Sequence, residues 1–157
     1  MTEADAGQVH AFLAGRGRDG SGRRLAEVLA FDDARIEGVH DFIQWLFPLD
    51  APSRAVPGAP VLGPAEAAAI RADPQALAGL SAARDRMRRF YAETGFWLCA
   101  HDHNHLRITR ILTALRDLLG APEAEAFHAF VTARNAEAGA PINPDSLRFW
   151  RAALGSA

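Results

Sequence analysis

Apolar residues recur every three or four positions along most of this chain, the spacing that gathers them on one face of an α-helix. Ile36, Val39, Ile43, Leu46 and Phe47 keep that spacing, with Asp32 or Asp33 as cap and Pro48 as stop, so one helix is predicted there. Leu77, Leu80, Met87, Phe90 and Tyr91 mark the inward face of a long helix from Pro74 to Thr94, ended by Gly95. Asn104 is read as the cap of the next, which carries Ile108, Ile111, Leu112, Leu115 and Leu119 and ends at Gly120. Two more are predicted over 122–138, around Phe127, Phe130 and Val131, and over 144–154, with Asn143 as cap and Pro144 first.

Weaker signals give a helix from Ala4 to Ala14, a short one capped by Ser21 and carrying Leu25, Val28 and Leu29, and another starting at Pro64. The stretch GRGRDGSG (15–22) reads as a flexible turn, and Phe96–Cys99 as a buried extended segment. Five of the nine prolines fall between Pro48 and Pro64, a density that forbids helix and predicts a long loop within one domain. No strand pair and no repeat is apparent. The expected fold is all-α: a single-domain helical bundle of about seven helices with a long proline-rich loop, an N-terminal helical extension over 1–31 and a domain over 32–157.

Composition narrows the picture. A length of 157 residues suits one domain, and 49% hydrophobic residues can supply its core. The net charge is -2, and every basic residue is arginine, so no strongly basic face for nucleic acid is expected. No apolar run reaches the roughly 18 residues of a membrane span, and the first ten residues lack the basic and apolar segments of a signal peptide. A cytoplasmic protein is the expectation. The single cysteine, Cys99, excludes an internal disulfide and is read as a small buried hydrophobe.

The candidate chemistry gathers in HDHNHLRITRIL (101–112). In an extended chain His101, His103 and His105 would share one side, as a metal site needs; helix onset near His105 would break that alternation. Arg107 and Arg110 lie one turn apart beyond a helix start, a place that favours phosphate or carboxylate, unless acidic neighbours in the bundle already hold them. Earlier in the chain, Glu37, His40 and Gln44 share a strip at the edge of the apolar face, with Trp45 pointing away from it. Glu37-x-x-His40 and Glu125-x-x-His128 resemble the ligand pairs of di-iron bundles, with Glu93 as a third ligand, but Glu27 stands too close to Glu37 to be the fourth. No serine-nucleophile, P-loop or dinucleotide motif occurs, so no catalysis and no cofactor is expected.

Two blocks carry a family resemblance. HDFIQWLFPL (40–49), preceded by Glu37, and HNHLRITRIL (103–112) look like the two most characteristic segments of the opioid growth factor receptor conserved domain, in the same order and with an FY pair (Phe90, Tyr91) between them. The resemblance spans 32–154 and carries over Glu37, His40, Asp41, Gln44, Trp45 and Pro48 from the first block. From the second it carries His103, Asn104, Arg107, Thr109 and Arg110; the alanine-rich stretch 64–83 departs from the family. Vertebrate members are named for binding Met-enkephalin, and they restrain growth in and around the nucleus. They add long tails absent here, and the arginine- and alanine-rich composition suggests a bacterial single-domain member.

The resemblance therefore implies a non-catalytic binding domain. The expected ligand is a small anion or a peptide carboxylate, held by Glu37, His40, Gln44, Trp45, His103, Asn104, Arg107 and Arg110. The alternative is a metal-binding bundle or metalloenzyme using Glu37, His40, His101 and His103. A third reading is an interaction module that forms a homo-oligomer through Trp150 and Leu154.

Overall fold

The computed structural model describes residues 7–155. Among them are nine helices and no strand; a lone bridge pairs Arg18 with Arg24. The helices are α1 (Gln8–Leu13), α2 (Leu25–Leu29), α3 (Asp33–Gly38), α4 (Ile43–Leu46), α5 (Pro64–Arg71), α6 (Pro74–Glu93), α7 (His103–Leu118), α8 (Ala121–Glu137) and α9 (Pro144–Ala153). The chain divides into two compact units, 1–86 and 87–157, with the division inside α6. The expected residues 4–6 of the first helix lie outside the described residues.

In the first unit, α1 packs on α4 and α5. Phe12 meets Trp45 edge to face, with ring centroids 5.7 Å apart, so the tryptophan of the first block fills a core position. His10 Nε2 lies 2.7 Å from Asp73 Oδ2, and the His10 amide donates to Glu66, tying α1 to the turn before α6. Arg86, on α6, donates to the Phe31 carbonyl and to Asp33 at the start of α3.

Two sequence expectations change in this unit. The helix predicted between Asp33 and Phe47 is broken in two. Val39 is extended (φ −100°, ψ 128°), although Asp32 caps the first half by accepting from the Arg35 amide. The cause lies in the pattern itself: every residue from Phe42 to Pro48 is buried, so these side chains belong on all sides of a short core helix and not on one stripe. Ser21 does not cap α2, whose N-cap is Arg24; its hydroxyl donates to Asp41 at 2.8 Å.

The glycine-rich turn is tied down by Asp19, whose carboxylate accepts from the amides of Ser21 and Arg23 and from Arg23 Nε. Arg23 also reaches Asp41 at 2.8 Å. Burial alone would raise the Asp41 carboxyl, but the bonds from Arg23 and Ser21 outweigh it and hold it below its ordinary value. The proline-rich loop runs as expected, and its base is closed where the Leu62 amide donates to the Leu49 carbonyl at 2.8 Å.

In the second unit, α7 packs on both α8 and α9. The α7 residues Ile108, Ile111, Leu112 and Leu115 are fully buried, as are Trp97, Val131 and Trp150. Phe96–Cys99 forms a turn and not an extended segment: Trp97 alone is buried, while Phe96 is 48% exposed. Pro144 opens α9 as predicted, with Asn143 as its cap accepting from the Ser146 amide at 2.8 Å.

Candidate functional site

The start of α7 is set by Asp102, not by Asn104. The Asp102 carboxylate accepts from the Asn104 amide at 2.9 Å and from Asn104 Nδ2 at 2.8 Å. Asn104 is fully buried and its Oδ1 accepts from the Tyr91 hydroxyl, so this motif residue holds the helix start to the aromatic core. Because helix begins at His103, the three histidines leave their common side: His105 turns into the interior at 3% exposed, while His101 and His103 stay exposed.

His105 is fixed from three directions. Its Nε2 lies 2.8 Å from the Trp97 carbonyl, Trp150 Nε1 donates to the His105 carbonyl at 3.0 Å, and the Trp150 ring stands edge-on to the imidazole. Its Nδ1 faces the Ser146 hydroxyl at 3.4 Å. Asn143 closes the network: Nδ2 donates to the Ala100 carbonyl at 2.6 Å and to Ser146 Oγ at 2.9 Å, and lies 3.4 Å from His101 Nδ1. One asparagine thus caps α9 and straps it to the segment that leads into α7.

Between these two helix starts lies an open groove of about 560 Å³. One wall is His101, Asp102, His103, His105 and Leu106; the other is Asn143, Asp145, Ser146 and Phe149. Leu106 is 68% exposed and Phe149 58%, so the groove has apolar flanks over a hydrogen-bonded floor. Both its acids are engaged locally, Asp102 as the α7 cap and Asp145 with Arg148 one turn on.

The other sequence candidates lie elsewhere. Arg107 is 8% exposed and Arg110 is half-buried; burial pulls the Arg110 guanidinium down to about 10. Neither lines the groove, and both have partners within the protein. In the first unit, Gln44 and Trp45 are buried while His40 is exposed, and the break after Gly38 removes the single helical strip that joined Glu37, His40 and Gln44. Glu125 is exposed on α8, and burial, then the charge of Arg151, holds the His128 imidazole below its ordinary value. Among the described residues, no group of three or more His, Cys, Asp or Glu side chains is placed to hold a metal ion. Cys99 is half-buried, its thiol 3.4 Å from the His101 carbonyl.

Sequence reasoning passed over Ser146, Leu106, Phe149 and Asp102. The signal for Asp102 was present, an aspartate directly before the helical run. For Phe149 it was the polar side of α9, where an aromatic beside Trp150 has no core to enter.

No helix among the described residues is long and apolar enough to cross a membrane. The family model for the opioid growth factor receptor conserved region matches residues 24–136. That match begins earlier than the resemblance read over 32–154 and stops before α9, so only the His101–Leu106 wall of the groove lies inside it. No curated protein and no solved structure matches the chain.

Proposed function

The chain belongs to the opioid growth factor receptor conserved-region family, and from that premise we propose that it is a binding domain for a short peptide presenting a carboxylate. The observation that supports this reading is the groove at the starts of α7 and α9. Its exposed Leu106 and Phe149 would seat an apolar side chain, a contact worth about 1–3 kcal/mol per residue covered. Two helices, of 16 and 10 residues, turn their positive ends toward it. Asn143 Nδ2 gives its two protons to the Ala100 carbonyl and Ser146 Oγ, so the exposed His101 ring 3.4 Å away keeps an N–H to offer the carboxylate.

The carboxylate contacts in this reading are His101, His103 and the helix ends, in place of Arg107 and Arg110. The test is an amide-shift titration of labelled protein with short apolar peptides, each offered as free acid and as C-terminal amide. Shifts confined to 101–106 and 143–149, about tenfold weaker binding of the amides, and a comparable loss in the L106S/F149S double variant are expected. Shifts centred elsewhere, or equal binding of acid and amide, would refute the proposal.

A further inference from the structure

The floor of the groove holds more than a binding surface requires. A carbonyl oxygen can only accept, so the 2.8 Å contact between His105 Nε2 and the Trp97 carbonyl places the ring proton on Nε2. The neutral imidazole then turns its free lone pair, on Nδ1, toward the Ser146 hydroxyl 3.4 Å away. Ser146 Oγ already accepts from Asn143 Nδ2 at 2.9 Å, which leaves its own proton for Nδ1. A nucleophile, a base beside it and a group that orients the base are the three parts of an activated serine, and such contacts are often long before substrate enters.

We infer that Ser146 and His105 form a nucleophile–base pair that transfers acyl groups from small apolar esters bound in the groove. A serine at the third position of α9 needs only the cap bond between its amide and Asn143; that cap does not call for a buried imidazole facing the hydroxyl. The ester lies against Leu106 and Phe149. Ser146 Oγ adds to the carbonyl carbon while its proton passes to His105 Nδ1. The bond to the leaving oxygen then breaks, and that oxygen takes the proton from His105. Water, deprotonated by the same Nδ1, cleaves the acyl-serine and restores the pair. Asn143 Nδ2, which donates to Ser146 Oγ, holds the attacking oxygen in place.

This inference goes beyond peptide binding and stands apart from it, since acylation by a small ester needs no peptide. The probe is p-nitrophenyl acetate, with wild-type protein compared with S146A and the site of acetylation mapped by digestion and mass spectrometry. S146A keeps the backbone amide that Asn143 caps, so it folds. The expected result is acetyl on Ser146 and hydrolysis that is about 10²-fold above solvent in the wild type and falls to solvent background in S146A, the lower end of what a positioned base supplies. Acetyl only on Cys99, His101, His103 or the amino terminus, or equal hydrolysis by S146A, overturns the proposal. Peptide titration of the wild-type protein keeps the two readings separate: a preference for free acid over amide reports peptide binding, acetyl on Ser146 reports acylation, and either can fail while the other stands.

Discussion

Gly79 sets two rules against each other. It lies inside α6, where alanine is favoured over glycine by about 1 kcal/mol on helix propensity alone. A methyl built at Gly79, however, lands within the van der Waals sphere of the Leu13 carbonyl oxygen and 3.0 Å from Leu25 Cδ2. The obstacle is backbone at the end of α1, so relief requires moving that helix. Such a movement disturbs the His10–Asp73 contact and the Phe12–Trp45 packing together.

Overpacking of this kind costs about 1–3 kcal/mol, occasionally more, and a rigid obstacle places it at the upper end. After the propensity gain, G79A should be destabilised by about 1–3 kcal/mol, a fall of about 2–12 °C in Tm for a chain of this size. The control is G38A. Gly38 closes α3, with nothing within 4 Å of an added methyl, so the same substitution should be neutral or stabilising by a few tenths of a kcal/mol. Thermal melts of both variants, followed by circular dichroism, give the comparison. If G79A melts at or above the wild type, the close approach of α1 to α6 does not explain the glycine.

Two further predictions concern tethers. N143A should lose about 2 kcal/mol in urea unfolding, about half from the α9 cap and half from the bond to the Ala100 carbonyl, whereas N143S should keep the cap and lose about 1 kcal/mol; an N143S as stable as the wild type would show that the Ala100 tether adds nothing. The Asp73 carboxyl is held below its ordinary 3.8, chiefly by the His10 bond, so its contribution is complete above pH 3.8 and is lost as pH falls through the depressed folded value. D73N should therefore be less stable than the wild type at pH 7, with the difference closing below pH 4; a constant difference across that range would contradict the linkage.

The long elements were legible because their signals were redundant. For α6 and α9, apolar spacing and an opening proline agreed, joined at α9 by the capping Asn143, and the structure follows them. The break between α3 and α4 was not legible, because Val39 and Ile43 satisfy a helical period whether or not the helix is continuous. What overrides the period is burial on every side of 42–48, a property of the folded surroundings. At the site, HDHNHL announced a helix start with histidines but not which of them would be buried. The choice of Asp102 as cap decides that: starting the helix at His103 turns His105 inward and leaves His101 and His103 on the surface. The second wall of the groove comes from residues some forty positions later, joined by Asn143, and no local pattern encodes that contact.

The bond between the Leu62 amide and the Leu49 carbonyl has a practical consequence. It fixes the two ends of the proline-rich segment where they meet, so the stretch between them hangs from a closed neck. At its tip Pro57 and Gly58 make a tight turn, with the Ala59 amide on the Val56 carbonyl and Gly58 at φ 85°. Closure entropy grows only logarithmically with length, so doubling such a loop costs about 0.6 kcal/mol. A fluorophore site, an epitope or a small guest domain spliced between Pro57 and Gly58 would hang beyond that neck and leave the pairing at its base intact.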